Sequence, residues 1–535
     1  MSKSKKVSKK VSKNVSKKVS KKVSKKVLNN VTNKVNFLST KKWSDYPLNT
    51  NLLKALTITM GYTYMSKIQD ATLTELLNKH DMMALAKTGG GKSVAFLVPL
   101  VERIMKYKKD NNLLNISKPQ KTSIHAIIIL NTRDLAHQLE VEAKKLVSFL
   151  PLKVACFVGG ENIKPQINMI KNGLVDILIT TPGRCVDHIE STPGFKEMLN
   201  NSQILVLDEA DQLLDAGFKK SLNIITSTMS NPERQTIMFS ATITDLVKEV
   251  MPKYLKKDFK YIDLVGDTNK INTQAPQEYI ITSTQYIPHI IYSILNNHIK
   301  QTGKTGKIIV FLPTANQCAF YANFYKPLFN INVFEMHSRL SQSQRNNFLE
   351  QFRKVECGIM FASDVLARGI DIDNITMVMQ IGIPSSPAVF IHRSGRSGRK
   401  GMIGCGILIL TNEEYLVIQE LNKSQIPIKK SDNNSSITGI INTASLDDKL
   451  QLRLNDIKLS HDKGLLKLTE QAYIGALGYY NSQLKRLKWT KNDMVSNINT
   501  LFKAFGLITL PSISAKILGK MGLRGINGIN EEMNK

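Results

Sequence analysis

Short apolar runs alternate with helical segments from about residue 43 to residue 428, and this alternation constrains the fold more than any other feature. The runs of the first series are Ile124–Leu130, Leu152–Val158, Val175–Ile179, Ile204–Leu207 and Thr236–Phe239. Those of the second series are Ile308–Leu312, Val333–Met336, Cys357–Phe361, Met377–Ile381 and Cys405–Leu410. Mostly apolar strands separated by helices are typical of parallel sheets that helices cover on both faces. We therefore predict an α/β fold with two parallel-sheet domains in tandem.

Changes in composition set the predicted domain limits. The first sheet domain is expected over residues 43–262 and the second over 277–430, with a polar linker at 263–276. Apolar side chains at helical spacing predict a helical C-terminal extension over 440–535. Residues 1–42 form a basic, low-complexity tail.

The tail repeats a Val-Ser-Lys-Lys unit, and three interpretations of it stay open. A valine stripe on one helical face, many serines and no acidic residue favour a presequence for the mitochondrial matrix, although such segments usually contain arginine. A solvated polylysine tail that touches RNA without specificity is the second interpretation. A nuclear or nucleolar address is the third.

The net charge of +30 is distributed unevenly. Residues 1–44 hold 15 lysines and no acid, so the rest of the chain carries about +15. This excess indicates a polyanionic partner such as nucleic acid, or serves solubility alone. No apolar run is long enough to cross a membrane. The five cysteines lack metal-ligand spacing, which argues against a disulfide framework or a zinc site.

A phosphate-binding loop is predicted at residues 86–93. Its residues are Ala86, Lys87, Thr88, Gly89, Gly90, Gly91, Lys92 and Ser93. Glycines allow backbone N–H groups to approach phosphate oxygens, Lys92 reaches the terminal phosphates, and the Ser93 hydroxyl suits Mg²⁺. The alternative is a plain glycine-rich turn. Because a strand-like run precedes the loop and a helical segment follows it, we predict phosphate binding.

Two adjacent carboxylates end the apolar run Ile204–Leu207. Asp208 is expected to hold Mg²⁺, partly through water, and Glu209 to orient or deprotonate the attacking water. Three arginines lie within seven residues at Arg393, Arg396 and Arg399. We predict that Arg396 and Arg399 reach the γ-phosphate as arginine fingers; an RNA-phosphate patch is the alternative.

These motifs in this order resemble the DEAD-box ATP-dependent RNA helicases. Asp208-Glu209-Ala210-Asp211 is the signature of that family, and the similarity covers about residues 43–428. The resemblance implies two RecA-like domains, with ATP and Mg²⁺ as cofactors and RNA as the partner. It also implies RNA-dependent ATPase and helicase activity, and we expect a monomer. Asn131, Ser338 and Gly382 depart from the family pattern.

The resemblance also implies roles for individual residues. Tyr62 and Gln69 would bind the adenine, and Asp371 the ribose. Ser240 and Thr242 would couple hydrolysis to unwinding. The implied RNA-backbone contacts are Arg133, Gly160, Thr181, Pro182, Gly183, Arg184, Thr314 and Ser363.

The C-terminal extension resembles that of fungal mitochondrial DEAD-box chaperones of intron splicing, most closely over residues 511–523. Lysines, arginines and aromatics interleaved over 479–489 suit RNA stacking; a purely structural brace is the alternative. We therefore predict an RNA-remodelling chaperone that acts in mitochondrial RNA splicing or expression. A nucleolar ribosome-assembly helicase, an RNA clamp without productive unwinding, and a DNA helicase are the competing hypotheses.

Overall fold

A computed structural model describes residues 38–86, 89–114, 124–215, 217–265, 275–303, 305–364, 366, 372–398, 404–431 and 447–532. The described residues form two compact units, unit 1 up to Leu264 and unit 2 from Val265 onward. Across these described ranges, no helix has the length and apolar character needed to span a membrane.

Unit 1 alternates strands with helices. Its strands are β1 (Leu38–Lys42), β2 (Tyr64–Ser66), β3 (Met82–Leu85), β4 (Ala126–Ile129), β5 (Val154–Phe157), β6 (Ile177–Thr180), β7 (Ile204–Leu207), β8 (Gln235–Ser240) and β9 (Lys260–Asp263). Its α-helices are α1 (Thr50–Lys54, continued by a π-helix over Ala55–Thr59), α2 (Lys67–Leu77), α3 (Lys92–Asp110), α4 (Arg133–Leu146), α5 (Ile163–Lys171), α6 (Pro182–Ser191), α7 (Phe195–Asn200), α8 (Ala210–Asp215), α9 (Lys219–Thr228) and α10 (Asp245–Tyr254).

Within the described part of unit 1, seven parallel strands form one sheet in the order β5-β6-β4-β7-β8-β3-β9. Every residue of β3, β4, β6, β7 and β8 is buried because helices cover both faces. The edge strand β9 is mostly exposed. β1 and β2 pair antiparallel apart from this sheet, so the last residues of the predicted tail belong to unit 1.

Unit 2 contains a second series of strands and helices. Its strands are β10 (Gln277–Thr282), β11 (Gly306–Phe311), β12 (Asn332–Met336), β13 (Cys357–Ala362), β14 (Ile375–Ile381), β15 (Cys405–Thr411), β16 (Lys429–Lys430), β17 (Ser512–Ser514) and β18 (Asn530–Glu532). Its α-helices are α11 (Ile287–Gln301), α12 (Ala315–Tyr325), α13 (Gln342–Lys354), α14 (Pro387–Ser394), α15 (Leu416–Lys423), α16 (Asp448–Lys458), α17 (Lys463–Asn481), α18 (Leu484–Leu487), α19 (Lys491–Ala504) and α20 (Ala515–Met521).

The larger sheet of unit 2 repeats the topology of unit 1. Its described strands are parallel and run in the order β12-β13-β11-β14-β15-β10-β16. Numbered by their appearance in each unit, the strands of both sheets follow the order 3-4-2-5-6-1-7. The predicted fold class, two RecA-like α/β domains in tandem with a helical C-terminal extension, is thereby confirmed.

The C-terminal extension shares its apolar core with the sheet part of unit 2. The ring centroid of Phe505, which follows α19, lies 5.1 Å from those of Phe320 and Phe324 on α12, and 4.9 Å from that of Tyr321. On α17, a Cβ added to Gly475 would lie 3.4 Å from Oγ1 of Thr314, the residue that caps α12, so α17 and the start of α12 approach closely. The extension is therefore part of the same compact unit as the second sheet.

Candidate functional site

The predicted site residues of unit 1 follow the carboxyl ends of its strands. Because parallel strands end at one edge of a sheet, these loops gather at that edge, where α/β proteins bind ligands. The phosphate loop follows β3, the paired carboxylates follow β7, and Ser240 to Thr242 complete β8; these three strands are neighbours. The implied RNA-binding residues follow β4, β5 and β6, which form the other half of the edge. Nucleotide and RNA contacts are thus assigned to adjoining halves.

The phosphate loop has a glycine-dependent backbone. Gly89 and Gly91 have φ angles of 76° and 85°, and α3 begins directly afterwards at Lys92. A Cβ added to Gly91 would lie 2.7 Å from Gln69 Nε2, so no larger residue fits. Ser93 is half-buried in the first turn of α3, with Ala86 at the end of β3. Lys87 and Thr88 lie outside the described residues.

Two polar atoms near this loop are buried without hydrogen-bond partners. Among the described residues, neither Lys92 Nζ nor Glu209 Oε2 has a hydrogen-bond partner. Unsatisfied buried polar groups are costly, so this arrangement suits a ligand that supplies the missing partners. A phosphate oxygen at Lys92 and a water at Glu209 would do so.

The carboxylate pair at the end of β7 is electrostatically strained. Burial raises the pKa of Asp208 to about 6, while the ammonium of Lys92 acts in the opposite direction. The backbone of Glu209 is left-handed, with φ of 51°, and its N–H donates to Asp208 Oδ1 at 2.9 Å. Non-glycine residues in this conformation are uncommon and cluster at functional sites. A cation bound here would relieve the cost of the buried charge.

Asp211 connects the β7 and β8 loops. Its Oδ2 accepts hydrogen bonds from the backbone N–H and the hydroxyl of Thr242, at 3.0 and 2.6 Å. Ser240 Oγ donates to the Thr242 carbonyl at 2.7 Å. The sequence placed Asp211 in the motif without a role of its own; its contacts make it the link between the carboxylates and the Ser240–Thr242 loop.

The implied adenine ligand Gln69 contacts the protein itself. Its amide oxygen accepts from Ser66 N–H at 2.7 Å, and its Nε2 donates to the Gly91 carbonyl at 3.0 Å. Gln69 therefore joins the start of α2 to the phosphate loop. Tyr62 is 41% exposed in the preceding segment. Adenine contact by Gln69 and Tyr62 stays a prediction.

Arg133 and Gly160 lie against each other. Thr132 caps α4, which begins at Arg133, and a Cβ on Gly160 would lie only 2.1 Å from Arg133 Nη1. Gly160 also has φ of 81°. A side chain at this position would have to displace the Arg133 guanidinium and would hold the backbone in a strained conformation.

Arg184 is buried rather than presented to solvent. Its Nη1 donates to Gln166 Oε1 at 2.6 Å and its Nη2 to the Glu161 carbonyl at 2.9 Å. Thr181, Pro182 and Gly183 precede it at the start of α6. In this structure Arg184 binds the loop that follows β5 and the start of α5, and its contact with RNA stays a prediction.

The implied RNA residues of unit 2 occupy the same topological positions as those of unit 1. Thr314 follows the second strand and caps α12, as Thr132 follows the second strand and caps α4. Ser363 follows the fourth strand of its sheet, as Thr181 does in unit 1. The implied RNA contacts of the two units therefore lie in topologically equivalent loops.

The two described arginines of the cluster in unit 2 are buried. Arg393 is fully buried, binds Asp364 Oδ1 through Nε at 2.6 Å, and lies 5.5 Å from the Phe311 ring. Arg396 is also buried, and its Nε donates to the His392 carbonyl at 3.3 Å. Arg399 and Asp371 lie outside the described residues, so their predicted roles have no structural description.

Gly382 is explained by the C-terminal extension. It has φ of 71°, and a Cβ there would lie 2.8 Å from the Tyr480 hydroxyl on α17. That hydroxyl donates to the carboxyl group of buried Glu414. An aspartate, common at this position in the resembling family, would collide with Tyr480. The departure is therefore an accommodation of the extension.

The aromatic residues at 479–489 serve this same packing. Tyr479 donates to the Ile383 carbonyl at 2.8 Å, and Trp489 stacks on Tyr480 with centroids 5.7 Å apart. Arg486 donates to Glu420 and to the Pro384 carbonyl. These contacts favour the structural brace over RNA stacking for this segment.

Comparisons with known proteins agree with this arrangement. Residues 66–250 match the family model for the DEAD/DEAH box helicase, and residues 289–401 match that for the helicase conserved C-terminal domain. DEAD-box ATP-dependent RNA helicase 26 of Oryza sativa subsp. japonica is 34% identical over 92% of this chain and 86% of its own length. DEAD-box ATP-dependent RNA helicase 31 of Arabidopsis thaliana is 36% identical over 92% of this chain and 66% of its length. This chain belongs to the DEAD-box ATP-dependent RNA helicases.

Solved structures extend the DEAD-box match into the C-terminal extension. Mss116p bound to single-stranded RNA and AMP-PNP has a TM-score of 0.75 and 26% identity, covering 92% of this chain and 98% of that one. S. cerevisiae Dbp5 bound to RNA and ADP BeF3 shares the fold over 76% of this chain, with 23% identity and a TM-score of 0.62. As a DEAD-box protein, this chain binds ATP and RNA and is an RNA-dependent ATPase and RNA helicase.

Proposed function

We propose that this helicase remodels structured RNA as a chaperone, in mitochondrial RNA splicing or expression. The observation that carries the proposal is the docked C-terminal extension, whose Tyr480 and Phe505 are built into unit 2. The sequence resemblance of this extension to mitochondrial splicing chaperones, and the lysine- and serine-rich residues 1–42, support the compartment. A monomer that reads phosphates and 2′-OH groups would act on many RNAs with low sequence specificity.

The chemistry rests on the buried groups at the end of β7. Lys92 and the loop N–H groups bind the ATP phosphates, and Glu209 positions the attacking water. Ser93 and Asp208 would hold Mg²⁺: both offer oxygen ligands, and a cation would offset the burial that raises the pKa of Asp208. When bound, Mg²⁺ supplies charge compensation for the phosphates. We expect Arg396 and Arg399 to compensate the charge that develops on the transferred group.

An ATPase assay with and without RNA tests these roles. Lys92→Ala and Glu209→Gln should abolish RNA-stimulated hydrolysis, because each removes a group that hydrolysis requires. Lys106→Ala, an exposed lysine on the same helix as Lys92, is the matched control and should keep it. Normal hydrolysis by Glu209→Gln would contradict the assigned role of Glu209.

A strand-displacement assay on a short RNA duplex separates remodelling from clamping. ATP should accelerate displacement, and DNA duplexes should be poorer substrates. Displacement no faster than without ATP would favour an RNA clamp instead. For the compartment, a fusion that retains residues 1–44 should localise to mitochondria; nucleolar signal would end the mitochondrial proposal and favour ribosome assembly.

A further inference from the structure

A histidine, a glutamate and a cysteine converge beside the RNA-binding half of unit 1. His137 and Glu140 lie one turn apart on α4, and Cys156 lies on the edge strand β5. One ligand atom from each of the three lies within 4.8 Å of the other two. The cysteine spacings did not predict this cluster, because its members come from different elements.

The imidazole of His137 is held between two carboxylates. Its Nδ1 lies 3.4 Å from Glu140 Oε2, and its Nε2 lies 3.0 Å from Glu161 Oε1. In metal sites, the histidine ring nitrogen that does not bind the metal usually donates its N–H to a carboxylate, which fixes the ring orientation. Glu161 has that position here, and Gln166 Nε2 in turn donates to its other oxygen at 3.3 Å.

The ligand types identify the class of metal. Thiolate and imidazole select zinc-like ions, whereas Mg²⁺ and Ca²⁺ prefer oxygen alone. Three protein ligands leave the fourth tetrahedral position to water or a substrate group. We propose that His137, Glu140 and Cys156 bind a Zn²⁺ ion, with Glu161 orienting the imidazole.

The charges around the cluster suit a cation. One carboxylate lies at each ring nitrogen of His137, from Glu140 and from Glu161. On metal binding the ligands would release their protons, and the charges of the Cys156 thiolate and the Glu140 carboxylate would neutralise a Zn²⁺ ion.

The site is built into the RNA-binding loop, so metal binding should change RNA affinity. Glu161 follows Gly160, which packs against Arg133, and the Glu161 carbonyl accepts from Arg184. A bound cation would fix this loop and offset the negative charge of Glu140 and Glu161 near the phosphates. This consequence, unlike the metal site itself, rests on the proposed RNA-remodelling function and on the RNA contacts that the family resemblance implies for Arg133, Gly160 and Arg184.

Titration of the full-length protein with Co²⁺ tests the site. A thiolate-to-cobalt charge-transfer band should appear, saturate at a single equivalent, and disappear when Zn²⁺ is added. Cys156→Ser and His137→Asn should lose the band, while Cys357→Ser, a half-buried cysteine of unit 2, should keep it. Glu161→Gln should weaken metal affinity by about tenfold or more.

Two results would overturn the proposal. One is the absence of a thiolate–cobalt band in the wild-type protein. The other is unchanged metal affinity in either Cys156→Ser or His137→Asn; because His137 is partly exposed on a helix, its variant tests the site even where the cysteine variant fails to fold. RNA binding measured with and without Zn²⁺ is a separate readout: a failure there, with metal binding intact, would refute only the coupling to RNA.

Discussion

Replacing Gly382 by alanine should destabilise unit 2 through Tyr480. The backbone of Gly382 is left-handed, and an added Cβ would lie 2.8 Å from the Tyr480 hydroxyl. To make room, Tyr480 must release its hydrogen bond to Glu414. Because Tyr480 is buried in the core that joins α17 to the sheet, it has little freedom to move.

The expected magnitude combines two costs. A left-handed alanine costs about 1–2 kcal/mol. Loss of the Tyr480 hydrogen bond leaves the buried carboxyl group of Glu414 unsatisfied, which costs about 1–3 kcal/mol. We therefore expect Gly382→Ala to lower the free energy of unfolding by about 3 kcal/mol. In a Tyr480→Phe background the hydrogen bond is already absent, so the same substitution should cost only about 1–2 kcal/mol.

Trp489 provides the assay. Its indole stacks on Tyr480 at an interplanar angle of 11°, so its fluorescence during urea unfolding follows this contact. The other of the chain's 2 tryptophans, Trp43, lies in unit 1 and is replaced by phenylalanine in all variants. Equal costs of Gly382→Ala with and without the Tyr480 hydroxyl would refute the reasoning.

Four further outcomes are expected. Burial raises the pKa of Glu414 to about 7 from 4.5, so the folded state retains a proton that the unfolded state releases. The free energy of unfolding should therefore fall as pH rises from 4.5 through 7, by about 3 kcal/mol at most. Urea unfolding of Glu414→Gln should show no such fall. Gly160→Ala should weaken RNA binding about tenfold in a titration, because its methyl displaces Arg133, with ATP affinity unchanged. Arg396→Ala should slow single-turnover hydrolysis by ~10³ or more while nucleotide affinity stays within a few-fold. Phe505→Ala should cost about 3–5 kcal/mol in the Trp489 assay.

The central strands could be predicted because burial on both faces leaves an uninterrupted apolar run. The edge strand β9 and the separate strand β1 could not. β9 is mostly exposed and ends at Asp263, where the predicted linker begins, and its partner β3 is distant in sequence. β1 lies within the predicted tail for the same reason: four of its five residues are polar, and the pairing with β2 is what makes it a strand.

The candidate site shows the same difference between motifs that are continuous in sequence and contacts between residues that are distant in sequence. Motifs that are continuous strings, such as residues 86–93, could be recognised with their chemistry. Contacts between elements could not, because no spacing rule connects Asp211 to Thr242 or Gly382 to Tyr480. The buried, internally bonded Arg184 shows the same limit, since its residue type suggests phosphate binding while its partners are protein groups.

The shared strand order of the two sheets has a consequence for nucleotide stoichiometry. In unit 1 the first strand of the seven-stranded sheet, β3, leads into a glycine-rich loop. In unit 2 the corresponding strand, β10, is followed by Ser283 to Tyr286, which contain no glycine. The helix α11 comes next and has a proline in its first turn. A backbone of that kind cannot wrap a triphosphate. The two sheets therefore share a topology but differ in function. Each chain should hydrolyse a single ATP per cycle, at the loop of unit 1. Unit 2 is expected to respond to that hydrolysis and not to hydrolyse a second ATP.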